Sequence, residues 1–496
     1  MKPLTARSLW KGATVSRLRP GYATPVFRAA NGSRSLGSQA RTQPQVALRT
    51  TTTTTTRPNC VPLHSRVNAF HHQTGARLNF SSSSSAASAL KKTQLYDLHV
   101  AHKAKMAPYA GFSMPLVYGD LSHAESHHWT RNKASLFDVS HMVQHHIRGP
   151  GALDLLMKVT PSSLNLLHDN RSTLSCFLDK ETGGIIDDTV ITRLGPESFY
   201  IVTNAGRRKE DLEFLEKEIE EFRQTHDPAS RESVINWSIL DSRALVALQG
   251  PLSASILQSL ITPGEASIDS DLSTLHFGQC RSLHISFPDG THTPSRLLIS
   301  RTGYTGEDGF EISIPTDTDP QLPMKVSELL LSNPNVRLAG LAARDSLRLE
   351  AGMCLYGHDI TSAHTPPTAG LGWLVGKDRR DPSSPSSAFN GASVILPQLA
   401  SPAKTLTERR VGLTIEAGAP AREGALIVDM ADGTTQIGVV TSGMPSPTLN
   451  GANIALGYVK QGFHKKGTEV GVLIRKKMRK GTVAATPFVP TKFYKG

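Results

Sequence analysis

The segment GGIIDDTVITRLGPESFYIVTNAGRRKEDLEFLEKEIEEFRQTH, residues 183–226, carries the pattern that decides the fold class. Two β-branched runs, IIDDTVITRL and SFYIVT, are separated by Gly195-Pro196 and followed by Asn204-Ala205-Gly206, the punctuation of hairpin strands. Residues 206–226 then form an amphipathic helix, with Leu212, Leu215, Ile219 and Phe222 at i, i+3, i+7 and i+10 on one face. Strands that pair as hairpins, with a helix set beside them, make an α+β arrangement rather than alternating βαβ units.

The surrounding chain extends that pattern. Upstream, structure is expected to begin near Lys92, and TQLYDLHVAHKAKMAPYAGFSMPLVYGD leads into a polar helical stretch ending about Lys133 and a strand over Met142–Ile147. Downstream come the strand SRALVALQG (242–250), a helix at 251–261, strands in RLLISRTG (296–303) and GFEISIP (309–315), and a helix over about 338–352. The Pro/Ser-rich stretch KDRRDPSSPSS, from Lys377, has the composition of a linker. Beyond it, RRVGLTIE, IGVVTSG, IALGYVK and TEVGVLIR alternate with Gly turns across 409–490, as in a small antiparallel barrel. Nothing in this order makes a dinucleotide-binding domain.

The chain has 496 residues, 38% hydrophobic and 19% charged, with a formal net charge of +12. That excess is local. Met1–Tyr96 holds fourteen Lys or Arg and no acid, which leaves 40 basic against 42 acidic residues for the remainder. A polyanion-binding function would need basic clustering on the folded part, so a nucleic-acid partner is not expected. No apolar run is long enough to span a bilayer, and no membrane partner is expected either. The leader sets Leu4, Leu9, Trp10, Val15 and Leu18 among Arg7, Lys11, Arg17 and Arg19, and carries the runs Thr50–Thr56 and Ser81–Ser85. This is the composition of an organelle transit peptide without the apolar core of a secretory signal. Cys60, Cys176, Cys280 and Cys354 form no C-x-x-C pair, so neither a disulfide framework nor a cysteine zinc site is expected.

Several motifs fail on chemistry. His123, Glu125, His127 and His128 lack the H-E-x-x-H order that would put a carboxylate between zinc and substrate, and read as a polar helix face. Asp138, Ser140 and His141 are chain neighbours without a nucleophile elbow. Gly303, Gly306 and Gly309 are flanked by Glu307 and Asp308, which would repel phosphate. What remains is a polar set. Strand alternation sends Asp187 and Asp188 to opposite faces, one toward a cavity and one toward a neighbouring layer or solvent. Tyr304 and Glu311 flank a Gly-rich turn, while Arg344 and Arg348, one helical turn apart, need counter-charges from the protein or from a ligand. From these residues alone, the chain binds a polar small molecule.

Taken together, SLFDVSHM (135–142), GGIIDD (183–188), VTNAG (202–206), ALQGP (247–251), RTGYTGEDGFEIS (301–313), LAGLAARDSLRLEAGMCLYGHDI (338–360), LGWLVGK (371–377), RRVGL (409–413), TSGMPSP (441–447), ALGYV (455–459) and PFVPTKFY (487–494) resemble the aminomethyltransferase (T-protein) family of the glycine cleavage system. The resemblance runs in order from about residue 93 to the C-terminus. It implies an α+β cloverleaf of subdomains around a folate channel, built on antiparallel sheets with a C-terminal β-barrel domain. The division is then a mitochondrial transit leader over 1–90, a folate-binding domain of two subdomains over 91–376, a linker over 377–408 and the barrel over 409–494. The implied reaction passes a one-carbon unit from the lipoyl arm of a partner H-protein to tetrahydrofolate, with no metal. On family positions, Asp188 is the catalytic acid and Glu311 grips the pterin's amino-pyrimidine edge. Arg344 contacts folate. Met142, Tyr304 and Trp373 supply apolar and stacking surface, and Asn204 with Val202 contacts the pterin. Phe493-Tyr494 stands where the family often has Tyr-Tyr, so a folate hydrogen bond there falls to Tyr494 or is missing. Related iron–sulfur maturation factors carry a cysteine in the slot occupied here by Arg301-Thr302-Gly303-Tyr304. Sarcosine- and dimethylglycine-oxidising relatives need a flavin domain, which nothing upstream of residue 93 could form.

Overall fold

The computed structural model describes residues 89–119, 121–262 and 270–496. The leader expected over 1–90 lies almost entirely outside them. Two antiparallel sheets and a closed barrel follow from the strand patterns. A five-stranded sheet runs in the order Arg171–Leu178, Ile185–Gly195, Ser198–Thr203, Val143–Arg148, Asn236–Ile239. Every pairing within it is antiparallel. A six-stranded sheet runs Cys280–Leu283, Leu297–Ser300, Gly309–Pro315, Arg243–Gln249, Ala134–Asp138, Val336–Leu338. Its only parallel pairing is the short Val336–Leu338 against Ala134–Leu136. The barrel closes six strands between Glu408 and Ala484, joining Gly412–Ile415 to Gly481–Ala484. Each of these three lobes has its own apolar core.

The helix expected over 206–226 spans Arg208–Thr225 and buries Leu215, Ile219 and Phe222 against the five-stranded sheet, with Leu212 only half-buried. It also buries Asp211 and Glu218, which its apolar pattern does not foretell. Glu218 is matched by Lys158 Nζ (2.8 Å) and Asn390 Nδ2 (3.0 Å). The expected helix at 338–352 is Leu341–Glu350.

The stretch 377–408, expected as a linker, is ordered and packed. That stretch holds helical turns at Lys377–Arg379 and Pro385–Ser387 and helices at Ala392–Ala400 and Pro402–Thr405. Arg379 is buried and donates to the carbonyls of Thr160 (2.5 Å), Ser162 (3.0 Å) and Ser386 (2.8 Å). Phe389, Ile395 and Leu396 pack with Ile185, Leu371 and Leu374 in one core. Its serines bond within the turns, Ser386 to the Asp378 carbonyl and Ser387 to the Ser384 carbonyl (both 2.7 Å), and Pro385 and Pro402 start helical turns. Gly391 lies so close to Gly183 that a Cβ there would sit 2.3 Å from the Gly183 Cα. The segment thus braces the turn that leads into the aspartate strand.

Candidate active site

Alternation along Ile185–Gly195 separates Asp187 and Asp188 as expected. Asp187 is fully buried on one face, and Asp188 is half-buried on the other. Asn204, just past the paired strand Ser198–Thr203, joins the two. Its backbone N–H donates to Asp187 Oδ2 (2.8 Å), and its side-chain amide donates to Asp187 Oδ1 (3.0 Å) and Asp188 Oδ1 (2.9 Å). Burial pushes the Asp188 carboxyl up to about 6, against the opposing pull of the Asn204 amide. A carboxylate poised there is mostly ionised at neutral pH and still able to take a proton.

The six-stranded sheet brings Glu311 to a cleft of about 260 Å³ that is also lined by Val190, Tyr200, Val202, Leu298 and Thr302. Glu311 accepts from the Thr302 hydroxyl at 3.1 Å. Burial raises its pKa, and the positive charge of Arg344 opposes the rise. Tyr304, on the glycine-rich turn, donates its hydroxyl to the Cys354 carbonyl, and the Arg344 guanidinium lies 4.8 Å from its ring centre. The turn needs glycine because a Cβ on Gly303 would fall 1.9 Å from Gln249 Oε1.

The two helical arginines find different solutions. Arg348 is neutralised by the protein, through Asp345 (2.8 Å) and the buried Asp359, and it also donates to Ser442 Oγ (2.9 Å). Arg344 Nη1 is buried with no hydrogen-bond partner. Its guanidinium acts at longer range on Glu311, while Nη1 itself stays unpartnered.

Two residues to which the sequence assigned no part in the site join this group. Tyr109, at the tip of the hairpin Ala104–Tyr109/Phe112–Tyr118, has its hydroxyl raised by burial, with Arg344 and Arg348 opposing and Asp345 and Asp188 reinforcing. His141 is buried, its Nδ1 has no partner, and burial pushes the imidazole down to about 4. Its ring meets Tyr109 edge-on at 5.4 Å. Arg344 is a charged neighbour of both. The motif FDVSHM drew attention to His141 as a triad member, the wrong question for a neutral ring.

Other expected residues sit elsewhere. Met142 packs beside Val202 and Tyr200 at the edge of the central core. Trp373 is 60% exposed on the turn Gly372–Leu374, so its indole is not part of a buried stack. Phe493 stacks on Phe277 at 4.1 Å, and Tyr494 lies against Arg301 (4.0 Å) with its hydroxyl donating to the Ser273 carbonyl (3.0 Å). Arg301 in turn holds Asp308, so the tail clamps the turn that carries Tyr304. The polar-face reading of 123–128 holds for His123, Glu125 and His128, with Glu125 closing a capping box on Ser122. It fails for His127, which is buried between Ser346 Oγ (2.7 Å), Thr448 Oγ1 (3.0 Å) and Glu350 (3.1 Å). Among the described residues, no group of His, Cys, Asp or Glu is arranged to hold a metal ion.

Sheets that set Glu311 in a largely apolar cleft, with Asp188 and Arg344 both acting on Tyr304, make an enzyme-like site suited to a polar small molecule. Comparison with known proteins narrows this. Residues 95–379 match the GCVT N-terminal domain, and residues 408–490 match the glycine cleavage T-protein C-terminal barrel domain. The mitochondrial aminomethyltransferase of Saccharomyces cerevisiae is 44% identical over 411 residues, covering 82% of this chain and 96% of the relative. That of Pisum sativum is 45% identical over 408 residues, covering 82% and 91%. The glycine cleavage system aminomethyltransferase T of Bartonella henselae superposes with a TM-score of 0.69 at 37% identity, over 82% of this chain and 100% of that one. The chain belongs to the glycine cleavage T-protein family.

Proposed function

We infer that the chain is a mitochondrial aminomethyltransferase of the glycine cleavage system. It moves the one-carbon unit carried by the lipoyl arm of H-protein to tetrahydrofolate, with release of ammonia, 5,10-methylenetetrahydrofolate and dihydrolipoyl H-protein. The observation that carries this reading is that Asp188, raised to about 6, and Arg344, whose Nη1 has no hydrogen-bond partner, both bear on the Tyr304 and Tyr109 hydroxyls. Such a centre offers a base and an unpartnered guanidinium N–H, which fits a folate with its nucleophilic amine and polar acceptors.

Tetrahydrofolate and the lipoyl arm supply the nucleophile and the leaving thiol when bound. The protein's part is to bind, orient and move a proton. Asp188 accepts a proton from the attacking amine and favours developing positive charge beside it. Glu311 presents two acceptor oxygens to a pair of parallel N–H donors. Arg344 meets a folate acceptor, and Tyr304 with Val202 and Met142 gives apolar surface for rings. Asn204 holds Asp188 in register. Phe493 and Tyr494 act through the turn they clamp. The expected boundaries give a transit leader over 1–90, a folate-binding part over 91–376 and a barrel over 409–494, with 377–408 a packed part of the fold. Among the described residues, no helix is long and apolar enough to cross a membrane.

The iron–sulfur maturation alternative would want a reactive cysteine. Cys354 is near the centre, yet burial pushes its thiol up to about 12, which keeps it protonated. The deciding experiment measures ammonia and methylenetetrahydrofolate release from aminomethyl-loaded H-protein, with and without tetrahydrofolate, for the chain and for Asp188→Asn. Folate-dependent turnover that collapses in the variant supports the reading. Folate binding without turnover in the folded wild type would overturn it.

A further inference from the structure

Behind the central carboxylate lies a second acid pair. The first turn of the helix Arg208–Thr225 brings Asp211, fully buried, against Asp187 and Thr203. Neither carboxylate oxygen of Asp211 has a hydrogen bond of good geometry, although the Thr203 hydroxyl and the Asp187 carboxyl lie close enough to act on it. The Thr203 hydroxyl beside it is shared with His145 Nε2 at 3.1 Å. Asp187, by contrast, has both oxygens occupied by amide N–H groups of Asn204, at 2.8 and 3.0 Å. The nearest cation, Arg207, donates to the Ile186 carbonyl (3.0 Å), pairs with Glu210 (3.1 Å) and lies over the Tyr356 ring (4.9 Å). The other titratable neighbours are Glu210, Asp188, Cys176 and Tyr356, with His145 across the Thr203 hydroxyl, its imidazole pushed down to about 4 by burial; none of them is a cation at neutral pH.

Two buried carboxylates in contact, with a single hydroxyl beside Asp211 and Arg207 already engaged elsewhere, cannot both be ionised. Burial and mutual repulsion raise Asp187 well above the usual range, and burial takes Asp211 up to about 7. Because Asp187 is occupied as a double acceptor, the proton belongs on Asp211 and points at Asp187. We propose that Asp187 and Asp211 share one proton at neutral pH, and that this pair is the positioning device that holds Asn204, and through it Asp188, in the site. Only the catalytic half of this statement rests on the reading of Asp188 as the reacting acid; the shared proton stands without it. Loss of the proton would put a second charge behind Asn204 and slacken its grip on Asp188.

The test uses the full chain with Asp211→Asn, which keeps a neutral donor facing Asp187, and Asp211→Ala, which removes it. Infrared spectroscopy at neutral pH should show a protonated carboxyl in the wild type that is missing in Asp211→Asn. A raised acid contributes stability that is complete below the ordinary aspartate range and is lost as pH rises toward about 7. Wild-type melting temperature should therefore fall across that window more than that of Asp211→Asn. Turnover should survive in Asp211→Asn and drop about 10–100-fold in kcat for Asp211→Ala, with little change in KM for tetrahydrofolate. If Asp211→Ala does not fold, Asp187→Asn takes its place, since one amide oxygen cannot serve both Asn204 donors. Equal kcat losses in Asp211→Asn and Asp211→Ala would overturn the positioning role. An unchanged carboxyl band and an unchanged pH dependence of melting in Asp211→Asn would overturn the shared proton. Those two readouts do not depend on catalysis, so they separate this inference from the assignment of Asp188.

Discussion

Glu350→Gln tests how the barrel is joined to the rest of the chain. The carboxylate ends the helix Leu341–Glu350 and accepts from Arg131 Nη2 (2.8 Å), Ser446 Oγ (2.5 Å) and Thr448 through both Oγ1 (2.7 Å) and N (3.0 Å). His127 Nε2 is 3.1 Å away. Burial alone would raise this acid, but His127 and the hydroxyl donors outweigh it and hold it well below the usual carboxylate range. Glutamine brings one acceptor and a donor group, so some of these donors would face another donor. Removing one charge from a buried pair costs about 3–5 kcal/mol. The lower end applies here, because Arg131 keeps Glu307 (3.1 Å) and the Thr305 carbonyl (2.7 Å). With about 2.1 cal/mol/K of unfolding entropy per residue over roughly 400 residues, 3 kcal/mol lowers Tm by about 4 °C. Scanning calorimetry at neutral pH reads this directly. The sign with pH is fixed: a depressed acid stabilises above its unfolded pKa of about 4.3, and that stability is lost as pH falls below it. The gap between wild type and variant should therefore close on acidification. A Tm unchanged at neutral pH, or a gap that persists in acid, would refute the reasoning.

Turnover should fall as pH drops through about 6, where Asp188 takes up its proton, and a rate–pH profile under saturating substrates checks it. Arg344→Ala should weaken tetrahydrofolate binding about tenfold or more by calorimetric titration, since a charge-assisted hydrogen bond is lost. Because its Nη1 has no protein partner, the melting temperature should move little. Gly303→Ala should lower the denaturant midpoint by about 1–3 kcal/mol in stability, because the new Cβ meets Gln249, which is fixed to the Thr302 carbonyl (2.9 Å) and the Thr305 hydroxyl (2.8 Å).

Local periodicity made much of the fold legible. The hairpin 185–203, the helix behind it and four barrel strands all lie where their apolar spacing puts them. Less was visible where polar residues face inward. Ala134–Asp138 is buried throughout, and Arg171–Leu178 starts with polar residues and ends in the core, so neither shows strand alternation. Lys477–Ala484 looks like a charged run, but it is the strand that closes the barrel. The segment 377–408 misled through composition, since its serines and prolines sit in ordered turns over a buried arginine. In the site, Asp188, Glu311, Tyr304 and Arg344 stood out as a polar set, but their roles, and Asn204 altogether, came only through family resemblance. Their residue types do not separate them from turn and surface positions. Tyr109 and His141 reach the same centre from a hairpin tip and from the turn between Ala134–Asp138 and Val143–Arg148, and Asp211 comes from the first turn of an acidic helix. Chain spacing carries no trace of these meetings.

The returning segment 487–494 has a consequence for how the site is assembled. Phe488 and Val489 donate their N–H groups to the Glu350 carbonyl, Lys492 donates to Gly306, and Tyr494 accepts from Phe277. Residues that follow the barrel in sequence are therefore the ones that fasten the turn bearing Tyr304. Each lobe has an apolar core of its own to close around, but that turn is locked only once this segment has docked. Trimming the segment should leave three folded lobes and a loose catalytic turn, a lesion that stability measurements would understate and activity would expose.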